Sequence, residues 1–118
     1  MNVERNFSLL AVGIGQIERR LLNGIVTLST ARDRARHYTW FDPADQGLPD
    51  MVVAMANNEE ALTEIRNNYC DERGNPLLPV IVLGMARVAN DSFHHIRGPL
   101  VTTRVLDELD RTPAHFHA

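Results

Sequence analysis

A short apolar run lies near the start of the chain: Phe7-Ser8-Leu9-Leu10-Ala11-Val12, followed by Gly13-Ile14-Gly15. A run of this length that ends in glycine is typical of a strand buried on both faces of a sheet. A helical pattern follows over Gln16–Thr30, and its predicted buried stripe comprises Ile17, Leu21, Leu22, Ile25 and Leu28. A buried strand followed directly by an amphipathic helix predicts an α/β unit.

The same alternation of strand and helix continues along the chain. Further strands are predicted at His37–Phe41, Met51–Met55, Pro79–Leu83 and Phe93–Ile96, and further helices at Glu59–Tyr69 and Val101–Arg111. Strands that alternate with helices indicate a mainly parallel sheet with helices on both faces. We therefore predict an α/β, flavodoxin-like, doubly wound sheet of five strands in the order 2-1-3-4-5.

Two helices of that pattern lack the chain length they need. About nine residues, Asp42–Asp50, separate the second and third strands, and about nine, Met85–Phe93, separate the fourth and fifth. The second and fourth helices are therefore expected to be shortened or missing. Loss of the second helix would uncover part of the sheet near Trp40, and an uncovered apolar face favours association.

Length, charge and cysteine content limit the class of protein. The 118 residues predict a single domain, 1–118, and the net charge of -3 with scattered arginines does not favour nucleic-acid binding. One cysteine, Cys70, excludes a disulfide within the chain and favours the cytoplasm. Because no stretch of 18 apolar residues exists, no membrane span is predicted.

Four segments share their pattern with one known family. Val12–Leu22 matches its first strand, acidic pair and first helix, Asp50–Met55 its third strand, and Pro79–Gly84 its fourth. Ile96–Leu100 matches the Lys-Pro junction before its last helix. These segments are distributed along nearly the whole chain. On them the protein resembles the receiver domains of response regulators (the CheY-like family).

The functional residues of that family do not carry over. By the resemblance, its metal-binding acidic pair falls on Gly13 and Ile14, and its phospho-accepting aspartate falls on Met55. Its switch hydroxyl falls on Gly84 and its lysine on Gly98. A thioether cannot become an acyl phosphate, and an apolar pocket does not hold Mg²⁺. The resemblance thus implies a pseudo-receiver without aspartyl phosphorylation.

A pseudo-receiver would act through protein–protein contacts. We expect a module of a bacterial two-component pathway that binds a protein partner, regulates a fused effector domain of a longer protein, or forms a homodimer. The predicted surface is Met85–Leu100 with the last helix, and Trp40–Leu48 comes second. The residues expected to contribute are Trp40, Arg97, Pro99, Leu100 and Arg104.

A different reading is a small nucleotide- or anion-binding domain. The turn Gly13-Ile14-Gly15 lies between a strand and a helix, where phosphates bind helix N-termini. This reading predicts a pocket lined by Gly13, Gly15, Asn57, Asn58 and Gly84. Glu18 occupies the third glycine position of the dinucleotide fingerprint and would repel phosphate. The receiver reading instead predicts that Ile14 and Met55 fill this edge.

No residue set indicates an enzyme, a cofactor or a metal. His94 and His95 are adjacent on a strand and point to opposite faces, while His115 and His117 lie near the end of the chain. Cys70 has two acids beside it that would raise its pKa. Ser8 lacks a glycine-flanked elbow, and the candidate carboxylates are dispersed: Asp45, Asp50 and Asp110. We therefore predict no catalytic residue, no cofactor and no metal.

Overall fold

Strands and helices alternate in the computed structural model, which describes residues 5–30, 36–42, 44, 47–88, 92–98 and 100–112. Within these residues the elements are, in chain order, β1 (Arg5–Val12), α1 (Gln16–Leu28), β2 (Arg36–Trp40), β3 (Met51–Met55), α2 (Glu59–Tyr69), β4 (Val80–Leu83), β5 (His94–Ile96) and α3 (Thr102–Arg111). The predicted sequence of strands and helices is confirmed.

All strands of the sheet are parallel and lie in the order β2-β1-β3-β4-β5. This confirms the predicted flavodoxin-like order. The connections β2–β3 and β4–β5 contain no helix in their described residues, 41, 42, 44, 47–50, 84–88, 92 and 93. The expectation that two helices are shortened or missing therefore holds for the described part of both connections.

Each face of the sheet has its own core. Helices α1 and α3 cover one face, where Leu22, Ile25, Val105 and Leu109 pack on Leu9 and Val53. Helix α2 packs on the other face, where its buried residues are Ala61, Leu62 and Ile65. The central strands β3 and β4 are buried on both sides and are continuous apolar runs, as is typical of a parallel sheet.

The predicted boundaries and buried stripe of α1 need correction. The helix ends at Leu28 rather than Thr30, and Ile17 is 81% exposed and Leu28 47% exposed. Only the middle of the helix, at Leu22 and Ile25, is fully buried. Helical spacing identifies the side of a helix that faces the sheet, but it does not show where the sheet beneath that helix ends.

Strand β1 begins at Arg5, two residues before the predicted Phe7, and the remaining differences are of one residue. Strand β2 begins at Arg36 and ends at Trp40, although the Phe41 amide still donates to Leu9 O at 2.8 Å. Strand β4 begins at Val80, since Pro79 has no amide hydrogen and contributes only its carbonyl, which accepts from Val52 N at 3.0 Å. Strand β5 begins at His94 and α3 at Thr102.

Two polar side chains fix the outer strand β2. The buried Ser29 hydroxyl accepts from Tyr38 N at 2.8 Å and donates to Val26 O at 2.7 Å. The Tyr38 amide on the outer edge of the sheet is therefore paired. The Arg36 guanidinium donates to Leu109 O at 2.9 Å and to Thr112 O at 2.8 Å. A cation at these carbonyls stabilises the C-terminal end of α3.

Within the part of the chain that the structure describes, no helix is both long and apolar enough to cross a bilayer.

Candidate functional site

The five positions matched to the receiver phosphorylation site meet at one edge of the sheet. Gly13 and Ile14 follow β1, Met55 ends β3, Gly84 follows β4, and Gly98 lies two residues after β5. These strands are parallel, and β1, β3, β4 and β5 are successive neighbours. Their carboxyl ends therefore share the edge at which open α/β sheets bind ligands.

Apolar side chains occupy this edge. Ile14 and Met55 are half-buried and pack against the core between the sheet and helices α1 and α3. A Cβ atom placed on Gly84 would lie 3.8 Å from Met55 Cε, so the methionine side chain reaches across to the end of β4. A thioether and an aliphatic chain offer no ligand to a hard cation and no nucleophile for a phosphoryl group.

Three of the five positions have a backbone conformation that favours glycine. The φ angles are +62° at Gly13, +116° at Gly84 and +94° at Gly98. Residues with a Cβ rarely adopt such angles. The backbone conformation at these three positions therefore disfavours the residues that an active receiver has there, which are aspartate, serine or threonine, and lysine.

Asn58 joins the end of β1 to the start of α2. Its Nδ2 donates to Gly13 O at 2.9 Å, and its Oδ1 accepts from Ala61 N at 3.1 Å. Asn58 is thus the N-cap of α2. One side chain thus connects the end of β1 to α2 and accepts a hydrogen bond from a free amide of the helix.

Replacing Asn58 with alanine is expected to lower the free energy of unfolding by about 2 kcal/mol, since the cap and the bond to Gly13 each contribute about 1 kcal/mol. Asn58→Asp keeps the capping acceptor and loses only the donor, so its loss should be about half as large. Urea unfolding followed by circular dichroism measures both variants. Equal losses for the two variants would show that the cap contributes nothing.

Backbone bonds connect the other strand ends. Ala56 N donates to Leu83 O at 2.7 Å and Gly84 N donates to Ile96 O at 3.1 Å. The His95 ring contributes through Nε2, which donates to Gly84 O at 2.6 Å. These bonds hold the ends of β3, β4 and β5 in register beyond the strands.

The two adjacent histidines have different neighbours. His94 Nε2 lies 3.4 Å from Glu108 Oε2 on α3, while His95 Nε2 lies against Gly84 O. They therefore do not share a ligand. In the described ranges, no group of three or more His, Cys, Asp or Glu side chains could hold a metal. Asp45, His115 and His117 lie outside the described residues.

A groove of about 530 Å³ runs along α2 from the end of β1. It includes Gly13 and Asn58, two of the residues predicted for a nucleotide pocket, but not Gly15, Asn57 or Gly84. The carboxylate residues Glu60 and Glu64 also line it. Two carboxylates oppose the binding of a phosphate, so the groove does not favour an anion.

Trp40 lies on the face that α1 covers, rather than on the face that lacks the second helix. Its ring is half-buried and packs against the core, and its Nε1 donates to Asn23 Oδ1 at 2.9 Å. The Arg19 guanidinium lies 4.8 Å from the ring centroid. Tyr38 and Trp40 share this face because side chains alternate along β2, so Trp40 does not lie on the side of the sheet that a missing second helix would uncover.

The residues predicted near the last helix lie in different environments. Arg97 and Arg104 are exposed, and Leu100 is half-buried against the core. Pro99 lies outside the described residues. Two exposed apolar residues, Met85 (71%) and Val101 (51%), lie within the predicted surface, at the first residue of Met85–Leu100 and of the predicted last helix, but they were not among the residues expected to contribute.

Cys70 follows α2 and is half-buried. Burial raises the pKa of its thiol, and the nearby Asp71 raises it further, while Arg66 acts weakly in the opposite direction. The direction agrees with the sequence prediction. A thiol that stays protonated at neutral pH is a poor nucleophile.

Comparisons with protein-family models, with curated proteins and with solved structures gave no match. The function is therefore inferred from the residues at the edge of the sheet and from the exposed surface next to it.

Proposed function

We propose that this protein is a receiver-like signalling module of the bacterial cytoplasm that cannot be phosphorylated and acts by binding another protein or a second copy of itself. The observation that supports this best is the apolar edge of the sheet. Ile14 and Met55 pack on the core at the positions where a receiver needs carboxylates. The module would have no catalytic activity and no cofactor, and it could be the regulatory domain of a longer protein.

The backbone at the edge supports the same proposal. Gly13, Gly84 and Gly98 all have positive φ angles, so the change from an active receiver involves the turns as well as the side chains. A site altered in this way would not regain phosphorylation through one substitution. The output of the module would then be set by binding alone.

The exposed residues beside this edge supply a surface for such binding. Met85, Arg97 and Arg104 lie on or beside the connection from β4 to α3. Methionine and arginine are enriched in protein–protein interfaces. This region belongs to the surface Met85–Leu100 and α3 that the sequence favours as the interface.

Sedimentation velocity in Mg²⁺, with and without beryllofluoride as an acyl-phosphate mimic, tests the proposal. The sedimentation coefficient and any concentration-dependent dimer should be unchanged by the mimic, while a phosphorylatable receiver serves as the positive control. Met55→Asp should be equally unresponsive, because Gly13 and Ile14 still supply no metal ligands. A response of the unmodified protein would refute the proposal, and thermal stabilisation by a nucleotide would favour the alternative instead.

A further inference from the structure

Gly98 is the centre of a small surface that joins the turn after β4 to the start of α3. Its amide donates to Met85 Sδ at 3.0 Å. On the side where a Cβ would be, Arg104 Nη1 lies only 2.6 Å from the Cβ position, so the guanidinium lies directly across the glycine. Met85, Arg97, Gly98, Val101 and Arg104 are here named the Gly98 patch.

The patch combines exposed apolar side chains with arginines. Met85 and Val101 are 71% and 51% exposed, and Arg97 and Arg104 are exposed as well. Methionine adapts its shape to an apolar partner, and arginine offers several donors to a carboxylate. Such a surface fits a partner that presents both kinds of group.

The charge of this region differs in sign from the charge of the chain. Between Met85 and Arg104 the sequence contains three arginines and a single acid, Asp91, whereas the whole chain has a net charge of -3, and the acids of α3 begin only at Asp107, beyond the Gly98 patch.

We infer that the Gly98 patch binds an acidic segment of a partner protein, with apolar side chains placed on Met85 and Val101 and carboxylates placed on Arg97 and Arg104. This inference rests on the proposed function and specifies the chemistry of the partner. The complementary charges would accelerate association and make it sensitive to salt.

Fluorescence anisotropy with a labelled amphipathic peptide tests the inference. The probe has leucines at helical spacing and glutamates elsewhere, and the matched probe has lysines in place of the glutamates. We expect the acidic probe to bind, the lysine probe not to bind up to about 1 mM, and added salt to weaken binding. Arg97→Glu combined with Arg104→Glu should weaken binding about tenfold, and Met85→Ser should weaken it as well.

Arg73→Glu is the matched control, because Arg73 is exposed in the turn after α2. It should leave the affinity unchanged. Equal binding of both probes, no binding of either, or equal losses in Arg73→Glu and the double variant would overturn the inference. None of these results depends on beryllofluoride, so failure here is distinguishable from failure of the proposed pseudo-receiver function. Circular dichroism of each variant confirms that it is folded.

Discussion

Gly13→Ala is expected to lower the free energy of unfolding by about 3 kcal/mol. Part of this loss comes from the φ angle of +62°, which a residue with a Cβ adopts at a cost of about 1–2 kcal/mol. The rest is steric, because the new Cβ would lie 2.5 Å from Asn58 Nδ2 and 2.9 Å from Ala61 Cβ. Both atoms belong to the start of α2, which would have to move away from the sheet.

Gly47→Ala provides a matched control for this experiment. Gly47 has a φ angle of +99°, and no atom of the described residues lies within 4 Å of the Cβ position, so the substitution isolates the backbone cost. Urea unfolding of the two variants should differ by about 1–2 kcal/mol, which is the steric part. Equal losses of stability in the two variants would mean that the start of α2 moves away from the new Cβ at little cost. Asn58 would then not hold the end of β1 tightly against α2.

Gly13→Asp extends the test to function. This substitution restores one of the acids that the family resemblance assigns to the metal site, yet it brings the same clash together with a carboxylate beside the Gly13–Asn58 bond. We expect Gly13→Asp to be no more stable than Gly13→Ala and to bind no Mg²⁺, as measured by unfolding with and without the ion. Stabilisation by Mg²⁺ would show that the edge can still become a metal site.

Much of the fold could be predicted from the sequence because the central strands β3 and β4 are buried on both faces. Met51–Met55 and the run before Gly84 are continuous apolar segments that few other structures accommodate. The alternation of strands with helices then favours the order of the sheet, since crossover connections between parallel strands have one hand. That strand order alone places the five positions matched to the receiver phosphorylation site at the carboxyl edge of the sheet.

Other features could not be predicted because they depend on where separate elements meet. Ile17 has the spacing of a core residue but is exposed, and Trp40 packs beneath α1 through a bond to Asn23 that no local pattern reveals. The contact of Met85 Sδ with the Gly98 amide joins residues on two connections. Positive φ angles at Gly84 and Gly98 are also invisible in a sequence that has other glycines without them, such as Gly15.

Ionisation of Tyr38 is expected to make the protein much less stable at alkaline pH. Its side chain is fully buried, and its hydroxyl donates to Asp110 Oδ1 at 2.9 Å. Burial raises the pKa of this phenol far above its ordinary value. Asp110 raises the pKa further, and the neighbouring Arg36 only partly offsets these effects. The ring also lies 6.1 Å from that of Phe7, within the core.

A group whose pKa is higher in the folded state stabilises the protein fully below its unfolded pKa and loses that contribution as the pH rises. The stabilising contribution of Tyr38 therefore begins to decrease near pH 10, the ordinary pKa of tyrosine. Above it, the free energy of unfolding should fall by about 1.4 kcal/mol for each pH unit. The effect is measurable because the chain has no lysine, and arginine does not titrate in this range.

Tyr38→Phe should be less stable than the unmodified protein by about 1 kcal/mol at neutral pH, since it loses the bond to Asp110. Above pH 10 the difference should shrink and then reverse, because phenylalanine has no proton to lose. Urea unfolding between pH 7 and about 11.5 measures the crossover. Cys70→Ser is measured in parallel, since the raised pKa of that thiol also lowers stability at high pH. If the alkaline loss persists in Tyr38→Phe and disappears in Cys70→Ser, the thiol rather than the buried phenol limits stability, and the junction of β2 with α3 does not depend on a neutral Tyr38.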